Sequence, residues 1–409
     1  MKILIVGAGL AGLSTAIALA NKVEGAKITI VERRNDFEAR GATFGLAPNG
    51  QNALEDIAPD VLEDLKHEGI LMETGGYMLP WFKVRDALLN KVKAMPDRIA
   101  LYMGVSLEKV YEKDESLIAS FKDSDLVIES DVIIGADGVH SYVRTSILKL
   151  PAAKPTGAHV WRGTVNISDI DGLQHFEKCD LASGGQFGDQ IMLFFFNFHS
   201  KTPGLLAWVC SIQDPSEKLG ITTGETTPLD MIRKYMESLE NPDEATLKQY
   251  ADAKLVLENT KSTSDLTWST QMAVVDLTAK EGWGGKGRIT LVGDAAHSIR
   301  PASGLGGSLA FEDAVLLSRI LSDNKSGKDI AQRLRDFEKI RLPRCTSISN
   351  DQTLRSTLSY KLHRKIPEWD GRYKEWVFQG SGGPPNPPVS EEDVFAEILG
   401  RQNEEMPAQ

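Results

Sequence analysis

The chain has 409 residues, 41% of them hydrophobic, with 46 Lys and Arg against 57 Asp and Glu. That length fits two or three domains and can bury a large core without disulfide staples, and the apolar fraction is too high for a mostly disordered chain. A formal charge of −11 argues against wrapping nucleic acid, which needs a basic face.

The three cysteines, Cys179, Cys210 and Cys345, are odd in number and far apart. They form no disulfide framework and no C-x-x-C pair, so reduced thiols in a cytoplasmic compartment are expected. The seven histidines contain no H-x-x-x-H pair, and no metal site is expected.

The chain opens on Lys2, an apolar run from Ile3 to Ala20 and an Ala18-Leu19-Ala20 triplet, which together imitate a secretory leader. The same run reads better as a buried strand, Ile3–Val6, and a helix, Leu10–Ala20. A second strand follows at Lys27–Glu32, completing a βαβ unit. Residues 33–53 read as a loop rich in Gly and Asn. Residues 54–100 carry helical stretches, including Val84–Met95. Strands are expected at Ala100–Tyr102, Val105–Tyr111, Ser116–Phe121, Leu126–Glu129 and Val132–Gly135.

From about residue 150 the texture changes to strand-like runs with many aromatics: His159–Val165, Gln190–Asn197 and Leu205–Ile212, interrupted by a helix at Pro228–Leu239. The apolar stripe Phe194–Phe196 reads as core. Arg288–Val292 is a further buried strand, and Ser308–Leu321 a helix. A helical region over 329–365 should break at Pro343. Gly380–Pro388 reads as a linker before a short amphipathic helix capped at Ser390, and then an acidic tail. No run is long and apolar enough for a membrane span.

Gly7-Ala8-Gly9-Leu10-Ala11-Gly12 is a G-x-G-x-x-G loop between strand and helix. Gly7 permits the tight turn, Gly9 lets a pyrophosphate approach the backbone, and Gly12 lets helix and strand pack closely. Glu32, at the end of the second strand, stands where a carboxylate accepts from ribose hydroxyls. The motif alone leaves FAD and NAD open. Arg33 and Arg34 follow it.

Two further loops end strands in Gly and Asp. One is Gly135-Ala136-Asp137-Gly138-Val139-His140-Ser141-Tyr142-Val143-Arg144; the other runs from Val292-Gly293-Asp294-Ala295-Ala296-His297 to Pro301-Ala302-Ser303-Gly304-Leu305-Gly306-Gly307. Asp137 reads either as a ligand carboxylate or as a helix cap. Asp294 can accept from a polyhydroxyl chain, and the second loop aims bare N–H groups at whatever lies above it.

With these three motifs in this order, residues 1–330 resemble the single-component FAD-dependent aromatic hydroxylases, the para-hydroxybenzoate hydroxylase-like flavoprotein monooxygenases. The resemblance implies an α/β protein: a Rossmann-like FAD-binding domain (1–150 and 272–330), an inserted mainly β substrate domain (151–271) and C-terminal helices (331–379), with a tail over 380–409. Part of 73–82 is expected to join the substrate sheet. The resemblance further implies that FAD is held by Gly7, Gly9, Ala11, Gly12, Glu32, Arg33, Arg40, Arg85, Asp137, Gly138, Gly293, Asp294, Pro301, Gly304, Gly306 and Gly307. Ser308 departs from the Asn common in relatives.

The implied chemistry belongs to the flavin: NAD(P)H, a transient co-substrate, reduces it, O₂ forms a C4a-hydroperoxide, and one oxygen reaches an aromatic or other hydrophobic small molecule. No side chain is singled out as catalytic, although Tyr77, His159 and His199 are candidates for a base. Residues 151–271 and the loop Phe44–Pro48 would build the substrate pocket. A monomer or homodimer without nucleic-acid partners is expected. The alternatives are an epoxidase or other flavin oxidoreductase, and a non-catalytic flavin-binding interaction protein.

Overall fold

The computed structural model describes residues 1–362 except 38–42, 73–74, 179–182, 189, 215–218, 223, 261–269, 278–281, 301–303 and 324–326. Cys179, the linker at Gly380–Pro388 and the helix expected after Ser390 lie outside the described residues.

Strand β1 (Lys2–Val6), helix α1 (Leu10–Lys22) and strand β2 (Lys27–Glu32) form the βαβ unit read from the sequence. Ile3, Leu4 and Ile5 are almost wholly buried because β1 is central: β2 pairs with it on one side and β10 (Val132–Gly135) on the other. With β6 (Ile99–Met103) and β16 (Ile289–Leu291) they make a five-stranded sheet in the order β16-β10-β1-β2-β6, parallel at every pairing. Helix α1 is apolar nearly all round. It packs on this sheet and also against α4 (Trp81–Lys93) and α8 (Gly306–Ser322). The signal-like opening run is thus the centre of the main core.

Residues 33–53 differ from the loop expected of them. Thr43–Leu46 is strand β3, and Pro48 opens helix α2 (Pro48–Ile57). Proline at the first helical position has its φ preset and gives up an N–H that would have no helical partner there. Helix α3 (Pro59–Glu68) starts the same way. Strand β3 pairs with β5 (Tyr77–Pro80), which also pairs with β4 (Ile70–Leu71), so Tyr77–Pro80 belongs to this small sheet rather than to the larger antiparallel one. Strands β7 (Leu107–Lys113), β8 (Ser116–Phe121) and β9 (Val127–Ser130) form a further antiparallel sheet.

The aromatic middle of the chain is a second five-stranded sheet, β12-β13-β14-β11-β15. Its strands are β11 (Lys154–Asn166), β12 (Ser183–Phe187), β13 (Ile191–Asn197), β14 (Leu205–Gln213) and β15 (Thr270–Val274), all antiparallel to their neighbours. One face buries Trp161, Leu193, Phe195, Trp208 and Cys210 under helices α5 (Pro228–Glu237) and α6 (Glu244–Glu258). Trp208 Nε1 donates to Thr260 Oγ1 at 2.9 Å, which satisfies a buried indole. Side chains alternate along a strand, so the Phe194–Phe196 stripe divides. Phe195 is core, whereas Phe194 is 36% exposed on the other face and Phe196 is half-buried there.

Helix α7 (Asp294–His297) follows β16, and α8 leads to α9 (Ile330–Leu362). The break expected at Pro343 is absent: α9 runs through it. Arg341 and Arg344, on either side of the proline, are tied to acids of α8, and this anchorage offsets the lost backbone hydrogen bond.

Candidate cofactor site

The C-terminal edge of the parallel sheet carries three turns. The first follows β1. Gly7 has φ +107°, and a Cβ there would lie 2.5 Å from the Ala136 oxygen of the neighbouring strand end. Gly12 faces the Gly7 carbonyl oxygen, which a Cβ at position 12 would overlap. Gly9 is different: its φ is ordinary, and a Cβ there would meet nothing within 4 Å. Gly9 also begins α1 without any side-chain cap, and no acidic residue lies in the first turn. The free N–H groups and positive helix end therefore face open space.

Glu32 closes this turn from β2. Its carboxylate accepts from Ala8 N at 2.9 Å and from Arg34 N at 3.0 Å. Arg33 is exposed beside it. Arg85 is buried in α4, where its guanidinium donates to Asp86 Oδ1 at 2.7 Å and 2.9 Å and lies over the rings of Phe37 and Trp81. Arg40 falls outside the described residues.

The second turn follows β10. Asp137 Oδ2 accepts from Tyr142 N at 2.7 Å and Val143 N at 3.0 Å, while Oδ1 accepts from the Ser141 hydroxyl. Asp137 therefore ties down the chain that leads into the π-helical turn Val143–Ile147. Burial raises its carboxyl above the usual range, against the pull of these donors. Gly138, at φ +80°, has open space where a Cβ would be. Arg144 reaches from this turn to the third, donating to Ala295 O at 3.3 Å.

The third turn follows β16. Gly293 has φ 59° and ψ −143°, a conformation close to glycine-only. A Cβ there would lie 2.7 Å from Ala11 Cβ, so this turn is pressed against α1. Asp294 is solvent-exposed yet walled by protein, and that desolvation raises its carboxyl above the ordinary range, against the opposing pull of His297 and Arg162. Gly306 stands beside it, with a Cβ position 3.7 Å from Asp294 Oδ1. Gly306 opens α8, which like α1 has no side-chain cap and no acid in its first turn. Gly304 has φ +65° and open space at its Cβ position, whereas Gly307 is packed against the Phe44 ring. Phe44 is itself buried in the main core, so it packs α8 instead of lining an open pocket. Ser308 is buried with no partner for its hydroxyl, and Pro301 lies outside the described residues.

Arg162, on the outer face of the antiparallel sheet, interacts electrostatically with Asp294 at this edge. By register Arg162, Val209 and Phe194 form one row across that face, and Thr164, Ala207 and Phe196 the next. Phe196 and Val209 pack with Ile70 and Met78 around Phe198 and Ala207. His199 Nδ1 accepts from Gly204 N at 3.0 Å and shapes the β13–β14 connection, His159 lies 6.2 Å from the Trp161 ring, and Tyr77 is a strand residue of β5.

Behind the third turn lies a charged cluster that the sequence did not single out. Asp313 of α8 accepts from Gly293 N at 2.8 Å and lies 2.7 Å from His297 Nε2, and its other oxygen accepts from Arg341 Nε at 2.7 Å. Glu312 pairs with Arg341 and Arg344 and accepts from Asn49 Nδ2 at 2.8 Å. Burial disfavours a charged His297, but Asp313 outweighs it and holds the imidazole well above the usual histidine range.

Residues 2–93 match the model of the FAD dependent oxidoreductases, and residues 209–351 match that of an FAD binding domain. The chain is 26% identical to 3-hydroxybenzoate 6-hydroxylase of Klebsiella oxytoca, over 93% of this chain and 95% of that protein. It is 24% identical to the chloroplastic zeaxanthin epoxidase of Prunus armeniaca, over 93% of this chain and 57% of that protein. Among solved structures, CtdE in complex with FAD superposes with a TM-score of 0.71 at 17% identity, covering 93% of this chain and 99% of the other. Klebsiella pneumoniae HpxO complexed with FAD and uric acid gives 0.67 at 19%, covering 93% and 97%. The fold and the three turns are those of an FAD-binding protein of α/β architecture. Within that class the chain is similar to FAD-dependent monooxygenases, the aromatic hydroxylases among them.

Proposed function

We propose that the chain uses FAD, NAD(P)H and O₂ to insert one oxygen atom into an aromatic or other hydrophobic small molecule. The observation that carries this reading is the convergence of two uncapped helix ends, those of α1 and α8, on one sheet edge, with the exposed Asp294 between them. This arrangement fits an elongated ligand with an anionic centre, polyhydroxyl parts and a ring that becomes anionic on reduction.

In this reading Gly7, Gly9, Ala11 and Gly12 hold the pyrophosphate, with Gly9 leaving it room. Glu32 exchanges its Ala8 contact for the adenosine ribose, beside Arg33, and Arg40 and Arg85 lie along the same side. Gly293 and Asp294 bind the ribityl chain; Pro301, Gly304, Gly306 and Gly307 face the ring. Asp137 serves by shaping the turn that presents Gly138. Bound there and reduced by NAD(P)H, the flavin supplies the oxygen-activating chemistry. The chain contributes water exclusion and substrate placement. The outer sheet face presents Met192, Phe194, Phe196 and Val209, an apolar surface suited to a planar substrate.

The test is product analysis under ¹⁸O₂ with a panel of aromatic acids, phenols and polyenes. One ¹⁸O per product, with substrate-stimulated NAD(P)H oxidation, is expected. An epoxide from a polyene alone would favour the epoxidase alternative, and flavin that never responds to NAD(P)H would remove the reading.

A further inference from the structure

The Gly293–Asp294 turn adopts a conformation that costs energy and is pressed against α1, so something must hold it. Three bonds converge to do so. Asp313 Oδ2 takes the Gly293 N–H at 2.8 Å, and the same oxygen fixes His297 at the far end of α7 at 2.7 Å. Both ends of the one-turn helix that starts at Asp294 are therefore pinned to one carboxylate. That carboxylate is fully buried and has its second oxygen held by Arg341, a residue of α9. Arg341 is in turn locked by Glu312 at 2.7 Å, and it donates to Leu309 O at 3.1 Å. A buried charge in this position is expensive unless every lone pair is used, and here they are used on the turn and on α9.

We propose that Asp313 is a positioning residue for the cofactor turn, and that Arg341 makes the long C-terminal helix a determinant of flavin affinity and potential. The inference rests on the FAD reading of Asp294. Its physical content is that Asp313 acts through Gly293 N and His297, never on the flavin itself. Displacing the turn moves the Asp294 carboxylate relative to the α8 N-terminus, and with it the field at the ring.

The experiment compares Asp313→Asn and Arg341→Lys with Glu338→Gln. Glu338 is also buried on α9, but its carboxylate is held by Thr290 Oγ1 at 2.7 Å, Arg335 at 2.8 Å and Gly285 N at 3.3 Å, none of them a residue of the Gly293–His297 turn. FAD is titrated into each apo-protein by flavin fluorescence, the midpoint potential of the bound flavin is measured, and thermal unfolding is followed. Asp313→Asn is expected to weaken FAD binding by about tenfold or more and to shift the potential, in line with loss of a charge-assisted hydrogen bond. Arg341→Lys is expected to do the same to a smaller degree, and it decides the matter if the Asn variant does not fold. Glu338→Gln is expected to lower the melting temperature with FAD affinity and potential unchanged. Wild-type affinity and potential in both turn variants would overturn the proposal, as would an equal loss in Glu338→Gln. Absence of FAD binding by the wild-type protein would instead defeat the cofactor reading on which it stands.

Discussion

Gly9 and Gly12 are the same residue in the same motif, yet the structure gives them opposite work. Gly12 packs: its Cβ position coincides with the Gly7 carbonyl oxygen and lies 3.4 Å from Ala136 Cβ. An alanine in a helix is ordinarily favoured over glycine by roughly 0.5–1 kcal/mol. Here backbone overlap reverses the sign, and Gly12→Ala is expected to destabilise the protein by about 2 kcal/mol. Denaturant unfolding checks this, and a neutral or stabilising result would contradict the packing role. The spacing of the glycines, and Glu32 at the end of the second strand, were legible in the sequence. Which glycine packs and which leaves room was not, because that depends on how Gly7 is turned by the adjacent strand end. Asp137 is a similar case: the sequence allowed ligand or cap, and its carboxylate is taken up by the Ser141 hydroxyl, Tyr142 N and Val143 N.

Among the elements, β1, α1, β2 and β10 were legible because buried parallel strands and their flanking helices write long apolar signals. Helix α2 was not, since Pro48-Asn49-Gly50 reads as a turn until one sees the proline at the first helical position. Helix α6 buries only Ala253, Val256 and Leu257, too narrow a stripe to stand out, and it starts on an Asp243 cap whose carboxylate accepts from Thr246 N at 2.7 Å. Helix α9 defied the expected break at Pro343 because the anchoring acids come from α8, in a different part of the sequence. The proline still crowds the Lys339 carbonyl and leaves it unbonded by the usual ladder. Pro343→Ala is therefore expected to stabilise the chain by about 1–3 kcal/mol in thermal unfolding. A lowered melting temperature would mean that the distortion at Pro343 is what seats Arg341 and Arg344. The clustering of Asn49, His297, Glu312, Asp313, Arg341 and Arg344 could not be read from spacing, as it unites four helices.

At the scale of the whole molecule, two sheets with separate cores divide the labour. The parallel sheet supplies the edge where the three turns meet. The antiparallel sheet buries one aromatic face under its own helices and leaves the other, with Phe194 and Phe196, outside that core. The aromatic-rich middle of the sequence announced the second sheet. The alternation that puts Phe195 in the core and its neighbours Phe194 and Phe196 on the opposite face follows from strand geometry. In the proposed FAD complex the cofactor's phosphates lie in the open space at Gly9. Nothing in the protein occupies a Cβ position there, and its φ suits any residue. Gly9→Val should fold with little change in stability yet bind FAD at least about a hundredfold more weakly, a cost of roughly 2.7 kcal/mol. Titration of FAD into the wild-type and Gly9→Val apo-proteins, with melting temperatures recorded on both, is the direct measurement. Matched stability with lost binding is the predicted result, and equal FAD affinity in the two proteins would contradict it.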